Sequence, residues 1–200
     1  TAADVDAARA CVGHDVIALD VRDDAAVRTT IDRLQRLDIL INCAGIIRRD
    51  DEHAPDVFEQ VLSINLTGTM RCCTHARDRL RASGGAIVNT ASVLSFQGGA
   101  RVPAYSASKG GVAQLTKSLA LAYAADGIRV NAIAPGWVRT PMTRSLQDER
   151  SRSDAIVART PLGRWAEPDD IAGAAVFLCS PAAGFVTGIV LPVDGGYLIG

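Results

Sequence analysis

The sequence predicts an α/β fold, a doubly wound and mostly parallel sheet with helices on both faces. Short apolar runs alternate with segments of helical period along the 200 residues. The runs are continuously apolar, as expected of parallel strands that are buried on both sides. Gly, Pro, Asp, Asn and Ser follow the runs directly, at the strand ends where such sheets bind ligands.

In the first half of the chain, two strands and two helices are predicted in alternation. The run "HDVIALDV" at 14–21 predicts a strand that ends near the turn former Asp20. The segment "DAAVRTTIDRLQRL" at 24–37 has a helical period, and "DILINCAG" at 38–45 predicts the next strand. A long amphipathic helix is predicted from Pro55 to about Leu80.

The second half of the chain continues this alternation. "GAIVNTAS" at 85–92 predicts a strand, and a helix opens at Tyr105. "IRVNAIAPG" at 128–136 predicts another strand, after which a helix begins near Pro168. The last strand is predicted in "GIVLPVDGG" at 188–196.

Composition indicates a single globular domain over residues 1–200, with 48% hydrophobic and 22% charged residues. Because 21 basic residues nearly balance 22 acidic ones and no basic run is present, nucleic acid is not an expected partner. No membrane association is expected either. Residues 171–193 are uncharged and long enough for a span, but "SPAAG" at 180–184 divides them into helix, turn and strand.

The cysteines and histidines form no recognisable disulfide or metal pattern. The cysteines are odd in number and contain no C-x-x-C, so neither a disulfide framework nor a zinc site is expected. A reducing, cytoplasmic setting is therefore expected. The scattered histidines predict no metal site. These residues are Cys11, Cys43, Cys72, Cys73 and Cys179, and His14, His53 and His75.

The stretch "YSASKGG" at 105–111 places a phenol and an ammonium four residues apart. On a helix these positions share one face, with Cβ atoms about 5–6 Å apart, so Lys109 can lie beside Tyr105. A fixed cation favours the phenolate and lowers a tyrosine pKa from near 10 by about 1–3 units. The pair is thus a candidate for exchanging a proton with an alcohol or carbonyl. An exposed helix with a solvated lysine would have the same spacing.

Six segments, taken in order, resemble motifs of the short-chain dehydrogenase/reductase family, from Asp15 nearly to the last residue. "NCAG" at 42–45 is similar to the family's Asn-Asn-Ala-Gly, with Cys43 departing at the second position. "SINLTG", "NTAS" and "YSASK" are similar to the segments that hold its active-site asparagine, serine, tyrosine and lysine. "PGWVRT" at 135–140 resembles its nicotinamide-contacting segment, and "DGG" at 194–196 its final strand motif. The resemblance implies a Rossmann-like fold.

The resemblance implies a catalytic tetrad of Asn65, Ser92, Tyr105 and Lys109. Tyr105 would exchange a proton with the substrate oxygen, Ser92 would hold that oxygen, and Lys109 would lower the pKa of the phenol. Asn65 would anchor a water that passes protons from Lys109 to solvent. The implied activity is the NAD(P)-dependent interconversion of a secondary alcohol and a ketone, with hydride transfer left to the nicotinamide.

NAD or NADP is the implied cofactor, with NAD favoured. By the resemblance, Asp20 would contact the adenine amino group, although a simple turn former is the alternative at this position. Lys109 would also contact the nicotinamide ribose, and Thr140 would hold the carboxamide. The implied cofactor-binding residues are Asp20, Val21, Asn42, Ala44, Gly45, Tyr105, Lys109, Pro135, Gly136, Val138 and Thr140, and no metal is implied.

The segments around the tetrad are most similar to the branch of the family that acts on deoxy-sugar acids. A carboxylate substrate needs a cation, and a guanidinium can bind it through two hydrogen bonds. The candidate cations are Arg48, Arg49 and Arg101, for which solvated surface arginines are the alternative. The candidate substrate residues are Arg48, Gln97 and Arg101. Gluconate and 3-oxoacyl carrier protein are alternative substrates.

The resemblance also implies a homotetramer or homodimer. The interface would use the helices at 55–80 and 105–125, whose small residues permit close packing. The alternative to an enzyme is a catalytically silent homologue that acts only as an oligomer partner.

The family places a strand, a glycine-rich turn, a helix and a second strand before the segment at 14–21. Gly13 is the only glycine among the first forty residues, so the sequence shows no G-x-G-x-x-G loop for a pyrophosphate. The family's strand order, 3-2-1-4-5-6-7, puts two strands between "VIALDV" and "DILINCAG", which leaves a gap of roughly 14 Å. We therefore expect the sheet to lack its first two strands and to be unstable alone, so that these 200 residues are either part of a longer chain or a defective truncation. As such they would bind dinucleotide weakly or not at all.

Overall fold

The structure is a computed structural model that describes residues 14–200, so that Cys11 and Gly13 lie outside the described residues. Its strands are β1 (Ile39–Asn42), β2 (Ala86–Thr90), β3 (Arg129–Pro135) and β4 (Val190–Val193). Its helices are α1 (Asp24–Asp32), α2 (Pro55–Leu62), α3 (Gly68–Ser83), α4 (Pro103–Tyr123), α5 (Arg144–Asp148), α6 (Arg150–Arg159) and α7 (Pro168–Cys179). Within residues 14–200 the strands form one parallel sheet in the order β1-β2-β3-β4, which confirms the predicted α/β class.

The sheet is covered on both faces, as a doubly wound fold requires. On one face, Ile87 of β2 and Val130 of β3 belong to a core cluster that includes residues of α1, α3 and α4. On the other face, Val88 and Ile133 pack against Leu178 of α7. Side chains of neighbouring residues in a strand point to opposite faces, so two adjacent apolar residues serve both cores. This explains why the central strands are continuously apolar.

The segment 14–21 is not a strand, so that prediction was wrong. Residues 15–20 have no regular structure, and the side chains of Ile17 and Leu19 are 54% and 38% exposed. A strand is stabilised by the hydrogen bonds of a sheet, and the sheet that residues 14–200 form consists of β1 to β4 and does not include this segment. Val21, at the end of this segment, packs instead against the core beside α3. Its side chain lies so close to this helix that a Cβ added at Gly68 would be 2.6 Å from it.

The predicted helix from Pro55 to Leu80 is divided by a π-helical turn over Ser63–Thr67. Such a turn adds a residue to the helix and changes the direction of the side chains around it. Asn65 lies in its middle, and its carbonyl oxygen accepts a hydrogen bond of 2.8 Å from the hydroxyl of Thr69. The amphipathic pattern predicted the helix but not this turn.

Two further elements begin or end where the sequence places Pro and Gly. The helix predicted to open at Tyr105 begins two residues earlier at Pro103, since Pro suits the first turn of a helix. The uncharged stretch 171–193 contains the end of α7, a 3-10 turn at Pro181–Ala183 and β4, as predicted. Over residues 14–200, none of the helices combines the length and the apolar character that a membrane crossing requires. The sequence did not predict α5 and α6.

Candidate active site

The predicted tetrad gathers beyond the carboxyl ends of β1, β2 and β3. These ends lie at one edge of the sheet because the strands are parallel and paired in register, with Asn42 beside Asn89 and Thr90 beside Ile133. Helix α4 begins over the same edge, so its first turns face the loops that leave the strands. Residues that are far apart in sequence therefore meet here.

Tyr105 is the third residue of α4, and its side chain lines the same two cavities as that of Ser92, which follows β2. Ser92 is fixed in turn, because its hydroxyl oxygen accepts the N–H of Leu94 at 3.1 Å. Burial raises the pKa of Tyr105 above its ordinary value, the neighbouring hydroxyl of Ser92 opposes this effect, and the charge of Glu52 adds to it. The structure thus brings the phenol and the hydroxyl together and keeps the phenol protonated at neutral pH.

Lys109 is 3% exposed and lies on the same face of α4, with its ammonium 5.6 Å from the centre of the Tyr105 ring. The ammonium donates a hydrogen bond of 2.6 Å to the carbonyl oxygen of Thr90. Burial lowers the pKa of Lys109 to about 8, and the nearby Cys43 thiol opposes this effect. The expectation that Lys109 lowers the pKa of Tyr105 is therefore not met in this structure, because burial dominates both groups and the ammonium is directed at Thr90.

Asn65 is 1% exposed and ties the π turn to the loop after β1. Its amide nitrogen donates to the carbonyl of Ile46 at 2.9 Å and to the hydroxyl of Ser108 at 3.0 Å, while its oxygen accepts the N–H of Ile46 at 2.8 Å. Ser108 donates to the carbonyl of Tyr105 at 2.8 Å. A Cβ at Gly45 would lie 3.5 Å from the Asn65 oxygen and 3.7 Å from the Lys109 nitrogen, so both groups face Gly45.

Glu52 is a site residue that the sequence analysis missed. Its side chain is fully buried, and its two oxygens accept the N–H groups of Arg48 and Tyr105, each at 2.8 Å. One weak signal for Glu52 can be found in the sequence, namely a carboxylate in the loop that follows a strand. Such a loop can face the N-terminus of a helix, where a negative charge is favourable. Nothing in the local pattern separates Glu52 from its acidic neighbours Asp50 and Asp51.

A cavity of about 430 Å³ extends from Tyr105 and Lys109 along the loops that follow β1, β2 and β3. Its polar groups include the hydroxyls of Ser92, Tyr105 and Thr140 and the ammonium of Lys109, which could all bind the hydroxyls of a ribose or a carboxamide. The remaining lining is largely apolar, as suits the face of a nicotinamide ring. The residues present therefore fit a nicotinamide nucleotide. Predicted cofactor-binding residues on this cavity are Gly45, Tyr105, Lys109, Pro135, Gly136, Val138 and Thr140.

Four predicted cofactor-binding residues are not among those lining this cavity: Asp20, Val21, Asn42 and Ala44. The exposed carboxylate of Asp20 pairs with Arg22 at 2.6 Å, and this partner holds the pKa of Asp20 at about 2. The amide of Asn42 points into the protein, where it donates to Asn89 at 2.9 Å. The side chains of Asp20 and Asn42 thus have protein partners, and the contacts that the resemblance implies for the backbone around Asn42 and Ala44 stay a prediction.

A second cavity of about 400 Å³ opens on the other side of the phenol. The two cavities share five lining residues, Ser92, Tyr105, Gly136, Met142 and Thr143. The aromatic wall of the second cavity contains Trp137 and Tyr197, whose ring centres are 6.0 Å apart in an edge-to-face arrangement. A group bound here would reach the phenol from the side opposite the first cavity.

Three arginines line the second cavity, and no acidic residue does: Arg49, Arg101 and Arg159. The guanidinium of Arg101 is paired with the carboxylate of Asp50. That of Arg159 lies 4.4 Å from the centre of the Tyr197 ring and donates to the predicted substrate residue Gln97 at 3.2 Å. The predicted residue Arg48 lies elsewhere, paired with Asp51 on the surface. The cavity therefore suits an anion, and Arg159 is a further residue that the sequence analysis missed.

The described residues bring no metal site together. Over residues 14–200, no three His, Cys, Asp or Glu side chains are grouped so that they could hold a metal ion. The four cysteines of this range are free thiols, and burial raises the pKa of Cys73 to about 12. His53 and His75 are instead hydrogen-bonded to the carbonyl of Ala100 and to the carboxylate of Asp24.

Comparison with known proteins places this geometry in a family. A family profile described as Enoyl-(Acyl carrier protein) reductase matches residues 1–198. The 2-dehydro-3-deoxy-D-gluconate 5-dehydrogenase of Bacillus subtilis (strain 168) is 45% identical over 186 residues, which cover 90% of this chain and 73% of that protein. The cis-4-hydroxycyclohexanecarboxylate dehydrogenase of Sinomonas cyclohexanicum is 45% identical over 190 residues, covering 90% of this chain and 75% of that protein.

Among solved structures, the gluconate 5-dehydrogenase from Burkholderia cenocepacia J2315, in complex with NADP and tartrate, is 39% identical. The match covers 91% of this chain and 74% of that one, with a TM-score of 0.87. The similarity thus includes the sequence motifs as well as the parallel sheet and the helices around it. By sequence and by structure, the chain belongs to the short-chain dehydrogenase/reductase family of oxidoreductases.

Proposed function

We propose that the protein is an NAD(P)-dependent oxidoreductase that interconverts a secondary alcohol and a ketone on a sugar acid or deoxy-sugar acid. The observation that carries this proposal is the position of Tyr105 and Ser92. Both side chains lie where a cavity suited to a nicotinamide nucleotide meets a cavity lined by arginines, and they line both cavities. A substrate oxygen held there would contact both hydroxyls.

The residues of the tetrad have distinct roles in the proposed reaction. The Ser92 hydroxyl holds the substrate oxygen, and the Tyr105 phenol gives that oxygen a proton in reduction and takes one in oxidation. Lys109, whose pKa burial lowers to about 8, supplies positive charge behind the phenol and can release a proton near neutral pH. Asn65 holds the loop at Ile46 and, through Ser108, the start of α4. When bound, the nicotinamide accepts or supplies the hydride.

Several findings support NAD or NADP as the cofactor. The cavity behind Tyr105 offers an ammonium and hydroxyl groups at one end and apolar side chains elsewhere. Gly136 lies against β4 so closely that a Cβ would be 2.8 Å from the Cα of Asp194, which fixes the loop that begins the Thr140 segment. The related gluconate 5-dehydrogenase was crystallised with NADP.

An acidic substrate is supported by charge. Three guanidinium groups and no carboxylates line the substrate cavity, and a guanidinium binds a carboxylate through charge-assisted hydrogen bonds. The relatives named above act on 2-dehydro-3-deoxy-D-gluconate, gluconate and cis-4-hydroxycyclohexanecarboxylate. Each of these compounds carries a carboxylate and an alcohol or ketone on another carbon.

The test is an absorbance assay for reduced nicotinamide with a panel of sugar acids, their lactones and neutral polyols, each with NAD and with NADP. We expect turnover with at least one sugar acid and a lower KM for the acid than for its neutral analogue. Binding of NADH is followed separately by energy transfer from Trp137, which lines the substrate cavity. Binding without any turnover would favour a catalytically silent homologue, and turnover confined to neutral polyols would refute the sugar-acid assignment.

We also propose that the protein forms a homotetramer or homodimer through α3 and α4. Two apolar side chains on these helices support this interface, since Leu121 of α4 is 84% exposed and Met70 of α3 is 37% exposed. Burial of such side chains against a second copy would stabilise the assembly. Light scattering tests the proposal, and a monomer at micromolar concentration would refute it.

A further inference from the structure

Glu52 and Lys109 are the only charged side chains among residues 14–200 that are buried. Burying a charged group away from water is costly unless the group is fully hydrogen-bonded or paired. Lys109 belongs to the tetrad, whereas Glu52 lies in the loop between β1 and α2. A buried carboxylate in a surface-forming loop therefore requires a structural or functional reason.

The two oxygens of Glu52 join two separate parts of the site. One oxygen accepts the N–H of Arg48 and thereby holds the loop that follows β1. The other accepts the N–H of Tyr105, in the first turn of α4, where the N–H groups of a helix have no partner within the helix. A negative charge is also favourable at this end of a helix. Glu52 therefore contacts the backbone of the residue whose phenol is proposed to transfer the proton.

Neighbouring contacts hold the same two loops together. The N–H of Asp50 donates to the carbonyl of Arg101 at 2.9 Å, and the two side chains form an ion pair. The ring nitrogen of His53 lies 3.1 Å from the carbonyl oxygen of Ala100. Asp50 adopts a positive φ of 73°, the only non-glycine residue between 14 and 200 that does so. Both loops line the substrate cavity, through Ile47 and Arg49 on one side and 97–102 on the other.

We propose that Glu52 is a positioning residue that clamps the loop after β1, which lines the substrate cavity, to the first turn of α4 and holds a negative charge at the backbone of Tyr105. The proposal rests on the proposed oxidoreductase function for its effect on turnover. Its geometric basis, the two hydrogen bonds and the complete burial, is independent of that function.

The charge of Glu52 acts on the phenol together with several other groups. The Ser92 hydroxyl neighbours the phenol from the loop after β2, and Lys109 lies behind the phenol on α4. Arg49 and Arg101 line the cavity in front of it. Of the effects on Tyr105, burial and the charge of Glu52 raise its pKa, and the neighbouring hydroxyl of Ser92 lowers it. Removing the charge at position 52 should therefore lower the pKa of Tyr105.

The experiment compares Glu52→Gln with the parent and with Glu59→Gln, the same change at an exposed position of α2. Tyr105 is titrated by the ultraviolet absorbance of its phenolate, obtained as the difference between each protein and its Tyr105→Phe counterpart. We expect the Tyr105 midpoint to fall by roughly 0.5–1 pH unit in Glu52→Gln only. The KM for the sugar acid should rise several-fold, with the affinity for NADH unchanged. An unchanged midpoint in a folded Glu52→Gln protein would overturn the proposal.

If Glu52→Gln does not fold, the variant Glu52→Asp tests the proposed role of Glu52 instead. The shorter side chain keeps the charge but cannot reach both N–H groups, so we expect a raised KM with the Tyr105 midpoint at the value of the parent. A variant equal to the parent in both properties would overturn the clamp. The phenol titration needs no turnover, so a parent protein without dehydrogenase activity would refute the proposed function while the titration still tests Glu52.

Discussion

The ammonium of Lys109 is hydrogen-bonded to the backbone carbonyl oxygen of Thr90, at 2.6 Å, rather than to the phenol of Tyr105. Thr90 is the last residue of β2, so this bond ties the catalytic helix to the strand end beside which Ser92 lies. Lys109 thereby holds its charge on the lining of the first cavity, 5.6 Å from the centre of the Tyr105 ring. Its burial has consequences for stability as well as for catalysis.

Tyr105→Phe should reduce turnover by about 100-fold to 10,000-fold, because general acid–base catalysis contributes that much and only the hydroxyl is removed. The dissociation constant for NADH, measured by energy transfer from tryptophan, should stay nearly unchanged. Tyr123→Phe is the matched control at the opposite end of α4, where the ring stacks under the guanidinium of Arg77. A Tyr105→Phe enzyme with more than about a tenth of the parent activity would exclude Tyr105 as the proton donor.

Lys109→Met should change how stability depends on pH. Burial lowers the pKa of Lys109 from 10.5 to about 8, so between these values the unfolded chain binds a proton that the folded protein does not. The contribution of Lys109 to the free energy of unfolding is therefore least favourable below pH 8 and rises towards pH 10.5. The full change in the pKa of Lys109 corresponds to about 3 kcal/mol in the free energy of unfolding.

Urea unfolding of the parent and of Lys109→Met at several pH values checks this prediction. Relative to the parent, the methionine variant should be most stabilised near pH 7 and should lose this advantage as the pH rises above 8. Lys117→Met, at an exposed position of α4, is the control and should show no such trend. A constant difference between parent and Lys109→Met across this range would contradict the assigned burial effect.

Asn65→Asp should destabilise the π turn. The carboxylate can still accept the N–H of Ile46, but its second oxygen would face the carbonyl of Ile46 and would no longer donate to Ser108. Loss of a buried donor costs about 1–3 kcal/mol, so the free energy of unfolding should fall by that amount at neutral pH. Gln35→Glu, an exposed amide-to-acid change, should have little effect. Equal stability of Asn65→Asp and the parent would show that the loop is held by other contacts.

Arg159→Gln should raise the KM for a sugar acid by roughly 10-fold to 100-fold, since a lost charge-assisted hydrogen bond costs about 1.5–3 kcal/mol. The KM for the neutral lactone should change little. Arg48→Gln is the control, because Arg48 is paired with Asp51 away from the cavity. Equal effects of Arg159→Gln on acid and lactone would remove Arg159 from the substrate site.

Much of the fold and part of the site could be predicted from local pattern. Apolar runs predicted four of the five expected strands, each centred within about one residue of the observed strand. Because parallel strands end at one edge, Ser92 after β2 and Tyr105 at the start of α4 could be expected to meet. The run at 14–21 has the same local pattern but is not part of the sheet that the described residues form, so pattern alone predicted it wrongly.

The sequence by itself determined the alternation of strands and helices and the positions of Asn65, Ser92, Tyr105 and Lys109 along it. These features depend on neighbours in the chain, whose periods and turn residues can be read directly. Only the tertiary structure decided that Glu52 is buried against Tyr105, 53 positions away, and that Arg159 meets Gln97, 62 positions away. Burial and electrostatic environment depend on such distant contacts, which is why the pKa of Tyr105 is raised although its helical neighbour is a lysine.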